Sequence, residues 1–302
     1  MDLSTRGTLR SLWQRLPIVI RAIVVGFLVF EIGIVAWLAI AALIPVPWSI
    51  LGMGGLLWFY LKYFSGSGWP QATAETRRDR FRATRLPPAV WRWSLVAALL
   101  LVVIAQSSFV LTFRIIELPH SFTAGYSFEA LPSWLAWSAI VMASLVAGIC
   151  EEIGFRGYMQ VPLERRYGPA AGITIVSISF VVFHLNQAWA PPVLVHLFAF
   201  SALWGILAYT SGSLIPAMIS HIVADIFNFS YWWTDVAGTF DRRPIVETGI
   251  DAHFVAWASI VVVSAVLFAW ASRKTLSVRR GMQTDQDLDT RNIGGDPRAL
   301  SS

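Results

Sequence analysis

Eight stretches of this sequence are long and apolar enough to be read as bilayer-crossing helices, and nothing else in it restricts the fold so strongly. They lie near residues 18–44, 48–64, 91–116, 134–160, 170–185, 192–210, 214–230 and 252–272. A helix of about 20 apolar residues crosses the hydrocarbon core of a bilayer. In lipid each backbone N–H and C=O must be satisfied inside the structure, so the expected fold is an all-α polytopic bundle. The fifth and seventh stretches are short and each carries a histidine, which puts them inside the bundle, shielded from lipid. Composition agrees, since only 14% of the 302 residues are charged and 56% are hydrophobic. A soluble domain needs about a quarter charged to cover its surface.

The charges that remain follow a membrane pattern and not a nucleic-acid one. With eight spans, 20 of the 23 Lys and Arg fall on one side and only Arg114, Arg242 and Arg243 on the other. The positive-inside bias then predicts both termini in the cytoplasm of a cell whose inner or plasma membrane holds the chain. Trp48, Trp69, Trp91, Trp134 and Trp270 fall near span ends, where an aromatic belt sits. The run after Arg6, Arg10 and Arg15 is roughly twice the length of a secretory h-region and reads as a retained span. The expected organisation has helices one to three in 1–133 with a basic loop at 65–90 that lies on anionic headgroups. A core at 134–230 follows, then an outer loop and last helix at 231–272, and a disordered polar tail at 273–302. The single cysteine, Cys150, excludes an internal disulfide and any multi-cysteine zinc site.

Ionisable groups inside spans are costly and mark function by default. They gather in three places: Glu151-Glu152-Ile153-Gly154-Phe155-Arg156, Phe180 to His184, and His221 to Asp225, with Asn228 one turn further along the same stripe. Glu152 and Arg156 are i,i+4 neighbours with the acid first, the favourable order for a helical ion pair. Taken alone they read as a structural pair. Glu151 points about 100° away and is left for other work. His221 and Asp225 share a face, as do Phe180 and His184, so Phe180 can pack beneath the imidazole. His196 carries no motif and reads as a structural or cavity residue. At about 1.5 Å per residue, Glu151 and His184 both lie roughly 21 Å from the basic side, His221 about 12 Å and Asp225 about 18 Å. All four therefore share one layer, provided the fourth helix stays continuous past Gly157 and Pro162.

Two chemistries fit that set. A glutamate beside neutral imidazoles in a partly dry cavity activates water for attack on an amide, with nearby donors holding the oxyanion. Alternatively Glu151, His184, His221 and Asp225 hold Zn²⁺, whose bound water is the nucleophile.

Glu-Glu-x-x-x-Arg, then Phe-x-x-x-His, then His-x-x-x-Asp, in that order on hydrophobic helices, resembles the CPBP family (CAAX protease and bacteriocin-processing). This is the type II CAAX prenyl endopeptidase or Abi superfamily of intramembrane proteases. Phe155-Arg156-Gly157-Tyr158 and Ser213-Leu214-Ile215-Pro216-Ala217 resemble it too, and the likeness covers about 134–230. It implies that Glu151 activates water with His184, that His221 and Asp225 shape the oxyanion side, and that Glu152, Arg156 and Asn228 support them. The implied substrate is a membrane-associated peptide of CAAX or leader type. Some members carry Asn where Asp225 stands; an ionised Asp cannot donate to an oxyanion, so it would orient His221, donate while protonated or bind metal. Two other classes remain. A proton-coupled transporter would bury the same groups but should show an inverted repeat, and none is visible. A catalytically silent scaffold or bacteriocin-immunity protein need not keep Glu151 and His184.

Overall fold

The computed structural model describes residues 11–117, 131–185, 191–233, 236–238 and 241–294. Side chains are described as far as residue 284, without those of 232–233. Among the described residues the structure is helical, with no strand.

Each of the eight apolar segments is a helix. They are α1 (Ile18–Leu43), α2 (Trp48–Phe64), α4 (Pro88–Ile115), α5 (Ser133–Tyr167), α6 (Pro169–Phe183), α7 (Pro191–Ser211), α8 (Ile215–Asn228) and α10 (Ala252–Gly294). Two short helices join them, α3 (Ala74–Phe81) and α9 (Ile245–Thr248). Five of the eight, α1, α4, α5, α7 and α10 up to Thr284, are long and apolar enough to cross a membrane. Helices α2, α6 and α8 are shorter, of 17, 15 and 14 residues. The first helix stops at Ile44, which is extended (φ −124°, ψ 122°) because Pro45 forces its predecessor out of the α region. Prolines open α4, α6, α7 and α8, where a missing N–H costs no helical hydrogen bond.

The outward faces of α1 and α10 expose Leu28, Ile32, Val35 and Leu38, and Val262, Val263 and Val266. In water such faces would be unfavourable; against acyl chains they are neutral. The polar groups turn inward. Tyr60 of α2 donates to the carbonyl of Val29 on α1 at 2.9 Å, a buried bond that ties the two helices.

The basic loop is held by its own arginines. Arg77, 3% exposed, donates to the carbonyls of Tyr63, Gly68 and Pro70 and closes the chain around its guanidinium. Arg165 makes a two-pronged ion pair with Asp79 of α3 at 2.6 and 2.7 Å. That hydrogen bond holds the Asp79 carboxyl below its usual range. The segment expected as a disordered tail from residue 273 is also helical, since α10 continues to Gly294. Its continuation to Gly294 carries no proline, the residue that breaks a helix interior most strongly, so the helix is not stopped at 272. Residues 295–302 of that expected tail lie outside the described residues.

At the opposite end, the fully buried Arg114 finishes α4. It donates to the Arg243 carbonyl (2.7 Å), Thr248 Oγ1 (2.7 Å) and Asp251 Oδ2 (2.8 Å). Arg114→Met keeps most of the volume and removes these bonds. It should cost about 1.5–3 kcal/mol, the worth of a charged hydrogen bond. Thermal unfolding in detergent, with proteolysis between residues 241 and 251 as a second readout, checks this; an unchanged midpoint and cleavage pattern would refute the clamp.

Candidate active site

Helix α5 changes its winding where the acids begin. It is α-helical from Ser133 to Glu151, π-helical from Glu152 to Gln160, and α-helical again from Val161 to Tyr167. The chain is thus continuous past Gly157 and Pro162, as the depth argument requires. Pro162 supplies a reason for the wider turn: it has no N–H to donate, and its ring would crowd the carbonyl four residues back in a regular α-helix. Gly148, one turn earlier, lets α8 come close, since a Cβ there would stand 3.0 Å from the backbone nitrogen of Ile222. That approach brings His221 against the acidic pair.

The three polar clusters meet. The carboxylate of Glu151 lies 3.9 Å from His184 Nε2 and 3.8 Å from His221 Nε2. His221 Nε2 lies 3.6 Å from Asp225, and its Nδ1 is 2.9 Å from Glu152 Oε1. Glu152 also pairs with Arg156 at 3.2 Å, both side chains fully buried. Arg156 reaches on to α7, donating to the carbonyl and hydroxyl of Ser201 at 3.1 and 3.2 Å. Asn228 accepts from Gln106 of α4 at 3.2 Å, which fixes its carboxamide. Glu151, His184, His221, Asp225 and Asn228 all line one cavity of about 140 Å³.

Hydrogen-bond logic sets the tautomers. His184 Nδ1 is 2.7 Å from the Phe180 carbonyl, and a carbonyl only accepts, so Nδ1 carries the proton. His221 Nδ1 likewise donates to Glu152. Both rings therefore turn Nε2 toward Glu151. The gaps of 3.8–3.9 Å are too long for direct hydrogen bonds and leave room for a shared donor such as water. Each imidazole is held flat by an aromatic ring: Phe180 on His184 at 4.1 Å and 22°, Trp204 on His221 at 3.9 Å and 16°. Trp204 is itself fixed by its indole N–H bond to Ser220 Oγ at 3.1 Å.

The four-ligand zinc shell considered from sequence is not formed. Tetrahedral ligands about 2.0–2.1 Å from zinc stand roughly 3.3 Å apart. Here the Glu151–histidine and His221–Asp225 separations are 3.6–3.9 Å. Among the described residues, no three of His, Cys, Asp or Glu are disposed to hold a metal ion.

Sequence reasoning paired Glu152 with Arg156 and missed its second bond, to His221, because helical spacing carries no information about a neighbouring helix. It also missed Trp204 and Ser201, which have no motif. Gln106 of α4 bonds α8 at the cavity, donating to the Ala224 carbonyl at 3.1 Å and to Asn228 Oδ1. His196 lines the cavity between Phe109 (4.3 Å) and Phe200 (4.4 Å), with aromatic rings as its neighbours.

Residues 132–227 match the family model for Type II CAAX prenyl endopeptidase Rce1-like proteins. No curated protein and no solved structure matches the chain. The resemblance to CAAX-type membrane proteases drawn from the ordered motifs is therefore shown for this segment, which carries all the residues described above except Gln106, Phe109 and Asn228. With its apolar helices, the chain is similar to a multi-pass membrane protein of that kind.

Because Arg156 is the cation that Glu152 faces, Arg156→Ala leaves a buried carboxylate without its partner. It should lower stability by about 3–5 kcal/mol. Thermal unfolding in detergent measures it, and a shift no larger than that of Arg165→Ala, whose pair with Asp79 is exposed, would contradict this arrangement.

Proposed function

We propose that the chain is a membrane-embedded endopeptidase that hydrolyses a peptide bond of a membrane-associated substrate through a water activated by Glu151. The observation that carries this reading is the Glu151 carboxylate, facing the Nε2 atoms of two fixed imidazoles across one cavity. A water between Glu151 and His184 would give its proton to the carboxylate as its oxygen bonds to the substrate carbonyl carbon. The electron pair displaced onto the carbonyl oxygen would face Asn228, whose Oδ1 accepts from Gln106 and whose N–H group would stabilise it. Collapse breaks the C–N bond, and the proton held on Glu151 passes to the leaving nitrogen, giving a carboxylic acid and an amine. Asp225, 3.6 Å from the acceptor Nε2 of His221, would orient that ring by donating while protonated. Glu152 and Arg156 position His221 and do not touch substrate.

Eight crossings, with both termini on the arginine-rich cytoplasmic side of the cell membrane, complete the proposal. The support is that each expected span is helical and that the Lys and Arg cluster at one end. Of the three short helices, α6 ends at His184 and α8 carries the buried His221, polar groups that line the cavity. A CAAX-type substrate would approach from within or beside the bilayer. Paired peptides, one prenylated and one not, decide whether the lipid group is recognised.

Purified protein in nanodiscs, assayed against a library of membrane peptides by mass spectrometry, tests the function. Glu151→Gln and His184→Ala should each lower turnover by roughly a hundred- to ten-thousandfold, the usual worth of general acid–base catalysis. Their thermal midpoints should stay close to that of the parent chain. Normal turnover in either variant would remove Glu151 and His184 from the mechanism.

The metal question has its own readout. The active protein should retain full turnover at a metal content far below one equivalent per chain. Loss on chelation followed by recovery with Zn²⁺ would replace the carboxylate-activated water by a zinc-bound one.

A further inference from the structure

A second cavity, of about 420 Å³, opens at the arginine-rich end of the bundle, away from the acidic cluster. Arg82, Arg85 and Arg279 line it, and among the described residues no acidic side chain does. Its walls are fixed. The amide of Leu214 donates to the Arg82 carbonyl at 3.1 Å, and Thr84 Oγ1 donates to the Gly212 carbonyl at 3.1 Å. These bonds staple the segment before α4 to the turn between α7 and α8. Arg279 of α10 crosses that turn and donates to the Tyr209 carbonyl at 2.7 Å. It can do so because residue 212 is a glycine (φ +74°), and a Cβ there would collide with the guanidinium.

The cavity holds more cationic donors than acceptors. Arg82 has one carboxylate partner, Glu164 at 2.5 Å, and its Nη1 is buried without an acceptor. The Nε of Arg279 is likewise buried and unmatched. Arg85 is exposed, and among the described residues it makes no hydrogen bond or ion pair. Three guanidinium groups around one carboxylate leave an excess of positive charge that a phosphate would offset through charge-assisted, two-pronged hydrogen bonds. The start of α4 strengthens this, because Val90 lines the cavity and the N-cap, Pro87, gives no side-chain bond to the first N–H groups. Leu86, Pro87, Val90 and Met282 form an apolar wall beside the arginines. Such a wall suits the glycerol and upper acyl carbons of a lipid and adds nothing for a free ion.

We propose that this cavity binds a phosphate-bearing anion, and that its occupant is the headgroup of an anionic phospholipid. Nothing in this depends on the peptidase reading.

The test uses the full chain in a neutral detergent. It is titrated with short-chain phosphatidylglycerol, with short-chain phosphatidylcholine and with inorganic phosphate, and the rise in thermal midpoint gives an apparent Kd for each. Phosphatidylglycerol should bind more tightly than either of the others. Arg85→Gln should weaken it about fivefold and the Arg85→Gln, Arg279→Gln pair roughly thirtyfold, the scale of an arginine at an anionic membrane surface. Arg85 is exposed and unpartnered, so its single variant keeps the test decisive if the double variant does not fold. Inorganic phosphate binding as tightly as the lipid, with the same dependence on Arg85, would keep the anion site and overturn the lipid as its occupant. Equal binding of phosphatidylcholine, or no effect of Arg85→Gln, would overturn the site itself.

Discussion

The arrangement rests on one buried contact set, in which Glu152 accepts from His221 and pairs with Arg156. A carboxylate and a guanidinium with no exposure lose several kcal/mol of hydration each, and only close mutual pairing and further hydrogen bonds offset that loss. The geometry supplies those bonds in three directions: to α8 through His221, to α7 through Ser201, and along α5 itself. Moving any of the three helices would strand a charge in a low-dielectric interior. The packing is therefore held by electrostatic necessity at the same point where the cavity needs precise placement. His221 is the shared member, since one ring nitrogen belongs to this network and the other faces Glu151 and Asp225.

The cavity's character follows from what surrounds the polar atoms. Phe109, Phe180, Phe200 and Trp204 form an aromatic part of the wall, and beside apolar rings each charge interaction is stronger than it would be in solution. Stacking also restricts the rings. An imidazole beneath an indole at 16° can slide little without losing contact, and its hydrogen bond through Nδ1 prevents a flip. His196 provides the contrast within the same cavity. Its ring neighbours are Phe109 and Phe200, and among the described residues it makes no ion pair with a carboxylate, so it shares the wall without sharing the acid–base geometry.

What was legible in the sequence follows from what is local. Apolar length marked all eight helices, and i,i+4 spacing foretold the Glu152–Arg156 pair, the Phe180–His184 stack and the His221–Asp225 approach. Even the common depth of Glu151 and the histidines could be counted from rise per residue. Partners on different helices could not. Whether Glu152 would meet His221, or which aromatic would cover it, depends on how far α8 rotates and approaches, and Gly148 records that only once the neighbour is known. In the 65–90 loop, likewise, Arg77 turns inward and organises the chain with three backbone carbonyls that carry no sequence signature.

The π-helical winding of α5 explains a pattern that spacing alone would dismiss. Glu152, Arg156, Gln160 and Glu164 recur every fourth residue and are all buried. In a regular α-helix, at about 100° per residue, a spacing of four drifts by about 40° each time, so the first and last would diverge by roughly 120°. A π-turn, with hydrogen bonds from i to i+5, takes about 4.4 residues, and the same spacing then drifts the opposite way by about 33°. Two π-steps followed by one α-step nearly cancel. The four side chains consequently follow one polar line in two bonded pairs: Arg156 pairs with Glu152, and Gln160 donates to Glu164 at 2.6 Å, which meets Arg82 at 2.5 Å. Arg156 and Gln160 also reach α7 four residues apart, at the carbonyls of Ser201 and Gly205. A straight polar line needs a matching straight line of carbonyls on its neighbour, and the altered winding supplies that register. The same line extends from beside Glu151 to the wall of the arginine-lined cavity. The acidic cluster and the arginine-rich end are thereby linked by buried polar side chains of a single helix, in two bonded pairs.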